Sequence, residues 1–428
     1  MNFIHASDFH LGYAQYGLIE RFRDYARAFQ TVIHYAIDHK AEFILISGDL
    51  FHKHNINAPT YEQAYKVLSE LKAKSPSTQV YVIEGNHDIA FHQDGKSWLE
   101  ILNLQGLIKL IRPKKANGVE LMGDYVELDS VRIFGMRYLG SSTNPVIPQI
   151  AKEIKQISAV QGNKYTILMM HFGMEGQIGQ DKSWEIPYNS LLPLKEVVNY
   201  LALGHYHTNY EFDGWVFNPG SVEMISLNEY DLPKGFYHVR DSGPKLIPPI
   251  TPRPVRRIKL DMSGIATPDE LYTKISSKIE SERTLQQDAL VELTLYGDMG
   301  FPKSNVNLER IKDLVIKQFK PLWSDIKIMR SNSKFAVNAG DIRGLTREQI
   351  ELFVFSDMVK NDSRYRDHTE EIVKNILDIK KKVNAKFEPA DIQKELRWGF
   401  EKIKSEGMGN ESKTEGVQQT LLSRIGDS

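Results

Sequence analysis

"FILISGDLFHKHN", residues 43–55, carries four apolar residues into a glycine and then sets down Asp49, His52 and His54. A short apolar run closed by a turn residue reads as a buried strand. A strand ending here delivers a carboxylate and two imidazoles to the rim of its own core, where packing alone has no use for them. The pattern recurs along the chain. "SDFHLG" (residues 7–12) offers Asp8 and His10 after the run Asn2–Ala6. "EGNHD" (84–88) offers Asn86, His87 and Asp88 at the end of the run Gln79–Glu84, and "MMHFGM" (169–174) offers His171. "ALGHYH" (202–207) offers His205 and His207. In an open α/β sheet the strand C-termini converge on one edge, where ligands bind. Five distant segments are therefore expected to bring carboxylates, an amide and imidazoles to one small region.

Between these runs the period changes. Phe22, Phe29, Ile33 and Ile37 fall on helical spacing, as do Tyr61, Ala64, Tyr65, Leu68 and Leu71. Further strands are expected at Val131–Gly135, Tyr165–His171, Tyr200–Leu203 and Trp215–Asn218, which gives alternating α/β layering up to about residue 248. "PPITPRPVRR" (248–257) then reads as an extended linker. Beyond it lies a second, small α/β domain over residues 255–335. Ile258, Leu260 and Met262 alternate as in a strand, and Thr267-Pro268-Asp269-Glu270 forms a capping box opening a helix. Val291, Leu293 and Leu295 mark another strand, Leu308 to Phe319 a helix, and Ile326 with Ile328 a third strand. Residues 345–428 read as helical and polar, with stripes at Ile372–Ile379, Ile392–Ile403 and Val417–Ile425. Helices this thin bury little among themselves, so they need another surface or a bundle of their own.

Composition narrows the chemistry. The 428 residues hold 54 Lys and Arg against 55 Asp and Glu, so no bulk charge marks the whole molecule for nucleic acid or membrane. With no cysteine, a metal site must use His, Asp, Glu or Asn. The start "MNFIHASDFH" lacks a basic, then apolar leader, and no stretch approaches a membrane span. A cytoplasmic protein is expected.

The donors these segments offer, the carboxylates of Asp8, Asp49 and Asp88, the Asn86 amide and the imidazoles of His10, His87, His171, His205 and His207, suit a pair of divalent ions such as Mn²⁺, Fe²⁺ or Zn²⁺ better than Mg²⁺. The i, i+2 spacing of Asp8/His10 and His205/His207 suits extended backbone, with both side chains on one side. Asp49 is the natural carboxylate to be shared between the ions, and two ions about 3.5–4 Å apart suit phosphoester hydrolysis.

These segments together resemble the signature of the calcineurin-like metallophosphoesterases, over about residues 1–220. The resemblance implies a four-layer α/β/β/α sandwich. It implies that Asp8, His10, Asp49 and His207 hold one metal, and Asp49, Asn86, His171 and His205 the other. By the same likeness His87 orients the phosphate and protonates the leaving oxygen, while Asp88 steadies His87 from behind. "SDFHLG", "SGDLFH" and "NPGS" (218–221) further resemble the double-strand-break repair nucleases of the meiotic recombination eleven and SbcD type. That resemblance implies two Mn²⁺ ions, 3′–5′ exonuclease and single-strand endonuclease activity, and a nucleoid-associated place in the cytoplasm. It makes residues 1–248 the nuclease domain and 255–335 a DNA-capping domain. Residues 345–428 become a docking segment for an SMC-like, ABC-type ATPase. His52 matches a DNA-facing position at the rim; His54 reads as a surface histidine.

DNA contact is expected through phosphates, with Lys53, Arg112, Lys114, Lys115, Arg253, Arg256 and Arg257 as the basic residues available. The family dimerises through helices placed like Thr60–Ala73 and Ser97–Leu104. Leu68, Leu71, Leu99 and Leu102 are either that contact or internal core. The alternative function is a generic two-metal phosphatase or nucleotidase with an accessory domain.

Overall fold

The structure, a computed structural model, describes residues 1–90, 95–116, 119–121, 123–177, 185–282, 288–329, 346–360, 368–384 and 393. The chain divides into two compact units, Met1–Val255 with Asp288–Leu290, and Arg256–Gln287 with Val291–Ser428.

The first unit begins β1 (Asn2–Ala6), α1 (Ile19–Asp38), β2 (Phe43–Ile46), α2 (Ala58–Lys74), β3 (Gln79–Val82), α3 (Trp98–Leu104) and β4 (Lys109–Leu110). It continues with β5 (Lys114–Ala116), β6 (Val119–Leu121), β7 (Val126–Glu127), β8 (Val131–Gly135), α4 (Thr143–Gln161) and β9 (Tyr165–His171). Then follow α5 (Tyr188–Lys195), β10 (Tyr200–Gly204), β11 (Tyr210–Phe212), β12 (Val216–Asn218), β13 (Phe236–Arg240) and β14 (Gly243–Ile247). Two six-stranded sheets result, ordered β14-β13-β1-β2-β3-β4 and β11-β12-β10-β9-β8-β7. β1, β2, β3 and β4 run parallel, as do β8, β9, β10 and β12, so their C-terminal ends share one direction within each sheet.

Both faces of these strands are covered, which is why Phe43–Ile46 could be apolar throughout. One core lies between the sheets, from Phe3, Phe43, Leu45 and Tyr81 on one side to Ile167, Met169, Tyr200 and Phe217 on the other. Phe3 stacks on Phe43 at 4.8 Å between ring centroids, and Tyr200 on Phe217 at 4.4 Å. A second core sits under α1, α2 and α3, built on Ile4, Ile44, Ile46 and Val82. A third sits under α4 and α5, on Phe134, Leu168, Met170 and Leu201. The order of layers is α/β/β/α.

Leu68, Leu71, Leu99 and Leu102 are all buried in the core beneath α2 and α3. The open choice at these leucines falls to internal packing. Tyr65 and Leu104 on the same helices are exposed.

The second unit contains β15 (Val255–Asp261), α6 (Pro268–Ser281), β16 (Leu290–Tyr296), α7 (Leu308–Phe319), β17 (Trp323–Met329), α8 (Arg347–Lys360) and α9 (Thr369–Asn384). Its sheet is ordered β15-β16-β17. Thr267 Oγ1 accepts the Glu270 amide at 3.3 Å, and the Glu270 carboxylate accepts from Ala266, one residue before the helix cap, at 2.9 Å. Leu271, Ile275 and Ile279 of α6 are buried, as are Ile311, Val315 and Phe319 of α7. α8 and α9 are joined by the ion pair Lys380–Glu351, with Val373 buried and Leu352 and Phe353 exposed. The stripes at Ile392–Ile403 and Val417–Ile425 lie outside the described residues.

Candidate metal centre

The segments after β1, β2, β3, β9 and β10 meet at one place. Parallel strands keep their register here through loop bonds: Asp8 N–H donates to Gly48 O at 3.1 Å, and His10 N–H to Asp49 O at 3.0 Å. Asp8, His10, Asp49 and His205 all have positive φ, at 54°, 49°, 53° and 94°. The i, i+2 pairs are therefore not extended, contrary to the reading from spacing. The reason is local: each strand has just ended, and a left-handed residue re-aims the side chain within one step. Asp and His tolerate that region better than most residues, and such strain collects at functional sites. Gly48 also has positive φ (91°), and a Cβ there would collide with the His171 ring.

Asp49 sits in the middle. One oxygen, Oδ1, accepts the His87 amide at 2.9 Å. The other, Oδ2, lies 3.4 Å from His171 Nε2, 3.9 Å from His10 Nε2 and 4.0 Å from His87 Nε2. Asp8 accepts the His205 amide at 3.0 Å and lies 3.9 Å from His10 Nε2 and 4.0 Å from His207 Nε2. His10 Nε2 and His207 Nε2 face each other at 3.2 Å. Asn86 Oδ1 is 3.1 Å from His171 Nε2 and 3.0 Å from His205 Nδ1. All seven sequence-derived donors thus come together. The chemistry of the set fits divalent cations: two carboxylates, an amide oxygen and four imidazoles bring their donor atoms together. Asp8, His10 and His207, with Asp49 at hand, could hold one ion; Asp49, Asn86, His171 and His205 could hold another.

Burial pushes the Asp49 carboxyl up, but the charges of His171, His10 and His87 outweigh it and hold Asp49 well below the usual carboxylate range. Burial would lower His171 too, yet Asp49 beside it drives that imidazole up to about 9. The pair is a buried ion pair at the heart of the site.

His87 stands beside the ligands. Its Nδ1 lies 2.7 Å from the His52 carbonyl, so Nδ1 carries the proton and Nε2 faces the cluster. Asp88 does not reach this ring. It is buried, and its carboxylate takes the amides of Gly85, Phe51 and Leu50 at 3.0, 3.0 and 3.3 Å. The expected support of His87 by Asp88 is therefore corrected: Asp88 ties the loop after β3 to the loop after β2, and the His52 main chain holds the ring. Tetrapeptide spacing could not reveal this, because the Leu50 and Phe51 amides lie 38 and 37 residues away in sequence.

His52 is half-buried rather than simply on the rim. Its ring stacks on Tyr13 at 3.9 Å, and its Nδ1 is 3.4 Å from His10 Nδ1. Burial pushes its pKa down to about 4. His54 is exposed. Residues that spacing did not signal also border the centre. Glu229 lies 2.9 Å from His207 Nδ1, and the Tyr138 ring lies 5.6 Å from that of His205. Neither falls in a motif; Glu229 reaches His207 across 22 residues of chain.

The basic residues divide. Arg253 is paired with Asp24 at 2.6 Å, Arg257 with Glu292 at 2.7 Å, and Arg112 with Glu100. Arg256 is half-buried, Lys53 and Lys114 are exposed, and the Lys115 side chain lies outside the described set.

Residues 1–209 match the family of calcineurin-like phosphoesterases. Curated relatives are similar over more of the chain. The DNA double-strand break repair protein Mre11 of Archaeoglobus fulgidus is 25% identical over 372 residues, covering 77% of this chain and 79% of the relative. The protein of that name from Methanocaldococcus jannaschii is 31% identical over 257 residues, 57% of this chain and 63% of the relative. That from Saccharolobus solfataricus is 27% identical over 339 residues, 74% of this chain and 78% of the relative.

Proposed function

We propose, from the premise that residues 1–209 are a calcineurin-like phosphoesterase domain, that this chain is a Mn²⁺-dependent DNA nuclease that processes broken ends. The observation that carries the reading is the convergence of seven metal-donor side chains from five strand ends around Asp49. The similarity to DNA double-strand break repair proteins supports DNA as the phosphodiester substrate.

Bound divalent ions supply Lewis acidity toward the phosphate and a water of lowered pKa. Asp8, His10, Asp49 and His207 would hold one ion, and Asp49, Asn86, His171 and His205 the other. His87 works from the side. With Nδ1–H committed to the His52 carbonyl, a proton on Nε2 is the one it gives to the leaving oxygen. Asp88 keeps the two loops that carry Asp49 and His87 in register. His52 and Tyr13 form an aromatic wall beside His10 on which a DNA end can rest.

The second unit extends the proposal. Residues 255–335 act as a DNA-capping domain. Helices α8 and α9, exposing Leu352 and Phe353, begin a docking segment for an SMC-like ABC-type ATPase. A homodimer through α2 and α3 uses the exposed Tyr65 and Leu104. Among the described residues no helix is long and apolar enough to cross a membrane.

The deciding experiment incubates the full chain with end-labelled duplex and hairpin DNA, in Mn²⁺ or in Mg²⁺ alone, beside His87→Ala. Mn²⁺-dependent cleavage that His87→Ala abolishes is expected. No such cleavage, or turnover of p-nitrophenyl phosphate rivalling that of DNA, replaces the nuclease by a general phosphatase.

A further inference from the structure

We infer that Glu229 is a positioning residue of the metal centre, which fixes the ring of His207 so that Nε2 faces the other donors. The inference rests on the two-metal reading above and adds a residue to it. Glu229 Oε1 lies 2.9 Å from His207 Nδ1. An ionised carboxylate can only accept, so Nδ1 carries a hydrogen and the ring is held with Nε2 turned toward the other donors. That Nε2 lies 3.2 Å from His10 Nε2 and 4.0 Å from Asp8 Oδ1, among the donors assigned to one ion.

The carboxylate itself cannot swing in to become a ligand, because its second oxygen is occupied. Glu229 Oε2 accepts the Ile225 amide at 3.1 Å and the Lys234 ammonium at 2.8 Å. Lys234 also reaches Ser221 Oγ at 3.2 Å. The Ile225 carbonyl accepts from Gln15 Nε2 at 2.8 Å, which ties this loop to the segment that follows His10. Glu229 thus holds His207 from a clamped position.

Its effect is selective. His171 Nδ1, its outer nitrogen, turns to the neutral carbonyl of Ser47 at 2.7 Å, whereas His205 presents Nδ1 inward, 3.0 Å from Asn86 Oδ1. Among the described ligand histidines, His207 has a carboxylate behind its outer nitrogen. A carboxylate behind a ligand imidazole raises its basicity and orients it. The ion held by Asp8, His10, Asp49 and His207 should therefore depend on Glu229 more than the other ion does.

The test uses the full chain with Glu229→Ala and Glu229→Gln. In metal-free, ¹⁵N-labelled protein, long-range ¹H–¹⁵N spectra should show a hydrogen fixed on His207 Nδ1 in wild type and Glu229→Gln, and a mixture of the two ring nitrogens in Glu229→Ala. Calorimetric titration with Mn²⁺ should give two ions in wild type. In Glu229→Ala one of them should weaken by about 10–100-fold while the other is unchanged. Glu229→Gln, which keeps the acceptor and loses the charge, should fall between. An Nδ1 hydrogen still fixed in Glu229→Ala, equal weakening of both ions, or wild-type affinity in Glu229→Gln overturns the inference. If Glu229→Ala does not fold, Glu229→Gln alone decides by the loss at one ion. A wild-type chain that binds fewer than two ions instead sinks the two-metal reading, and the Nδ1 hydrogen still judges Glu229.

Discussion

The His87 amide donates to Asp49 Oδ1 at 2.9 Å, so the loop that carries the proposed proton donor is bonded to the carboxylate at the centre of the ligand set. Asp49 is thereby anchored through one oxygen and presented through the other. Left-handed backbone at Asp8, His10, Asp49 and His205 costs on the order of 1–3 kcal/mol each. The surrounding parallel strands and the two buried layers behind them support that cost. Position in this site is set by backbone turned hard at strand ends, with side chains following.

Asp49→Asn tests the central role directly. The amide keeps an oxygen for the His87 N–H but removes the charge that pairs with His171. The chain should fold, judged by an unchanged far-ultraviolet circular dichroism spectrum. Mn²⁺ affinity should drop by more than about 100-fold, beyond the usual effect of residues behind the ligands. DNA cleavage should fall to background. A variant that cleaves at half the wild-type rate would show that Asp49 is not shared between ions.

DNA binding should separate two kinds of basic residue. Lys53 is exposed beside His52, whereas Arg253 is paired with Asp24 through two nitrogens at 2.7 and 2.6 Å. Removing one phosphate contact lowers the slope of log K against log salt by about 0.9. Lys53→Ala should show that change in fluorescence-anisotropy titrations of duplex DNA. Arg253→Ala should leave the slope alone and lower thermal stability, since it strips a partner from buried Asp24. The reverse pattern would return Arg253 to the DNA surface.

Strand ends and donors were legible because both signals are local. Four apolar residues before Gly48, or Gly204 before His205, are visible in the chain itself. The strands came out shorter than read at β3, which stops at Val82 before the turn at Gly85. What escaped was contact at long range. The family resemblance pairs Asp88 with its neighbour His87, yet its carboxylate bonds Leu50 and Phe51, 38 and 37 residues away. Glu229 and Tyr13 were missed for the same reason, since nothing in "SLNEYDL" or "LGYAQ" states what folds against it. Amphipathic spacing likewise could not say whether Leu68 faces a sheet or a second chain; the fold places it inside.

That placement makes a two-sided prediction about α2 and α3. Leu68→Ala should cost about 2–5 kcal/mol in urea unfolding, as a buried truncation does. Tyr65→Asp with Leu104→Asp, at residues 44% and 70% exposed, should cost little stability. Sedimentation should show that this pair abolishes self-association. A monomeric wild type, or a dimer that survives both changes, would remove the homodimer from the proposal.

His5 supplies a pH dependence that is independent of metal. It is fully buried between the sheets, within 3.0 Å of both Tyr200 Oη and Leu203 O and 3.1 Å from Ser47 Oγ. Burial pushes its pKa from 6.5 down to about 3, against the pull of the Leu203 carbonyl. The folded state thus keeps His5 neutral where the unfolded chain would protonate it. Below pH 6.5 the unfolded state binds the extra proton, so this stabilisation is present above that pH and is lost as pH falls toward 3. Between pH 7 and pH 5 the group should account for about 2 kcal/mol of lost stability. His5→Gln should be less stable than wild type at pH 7, and its loss on moving to pH 5 should be smaller by about that amount. Urea melts of both proteins at the two pH values, each in EDTA, measure the difference. Equal losses in the two proteins would mean that His5 takes up its proton without unfolding the sandwich.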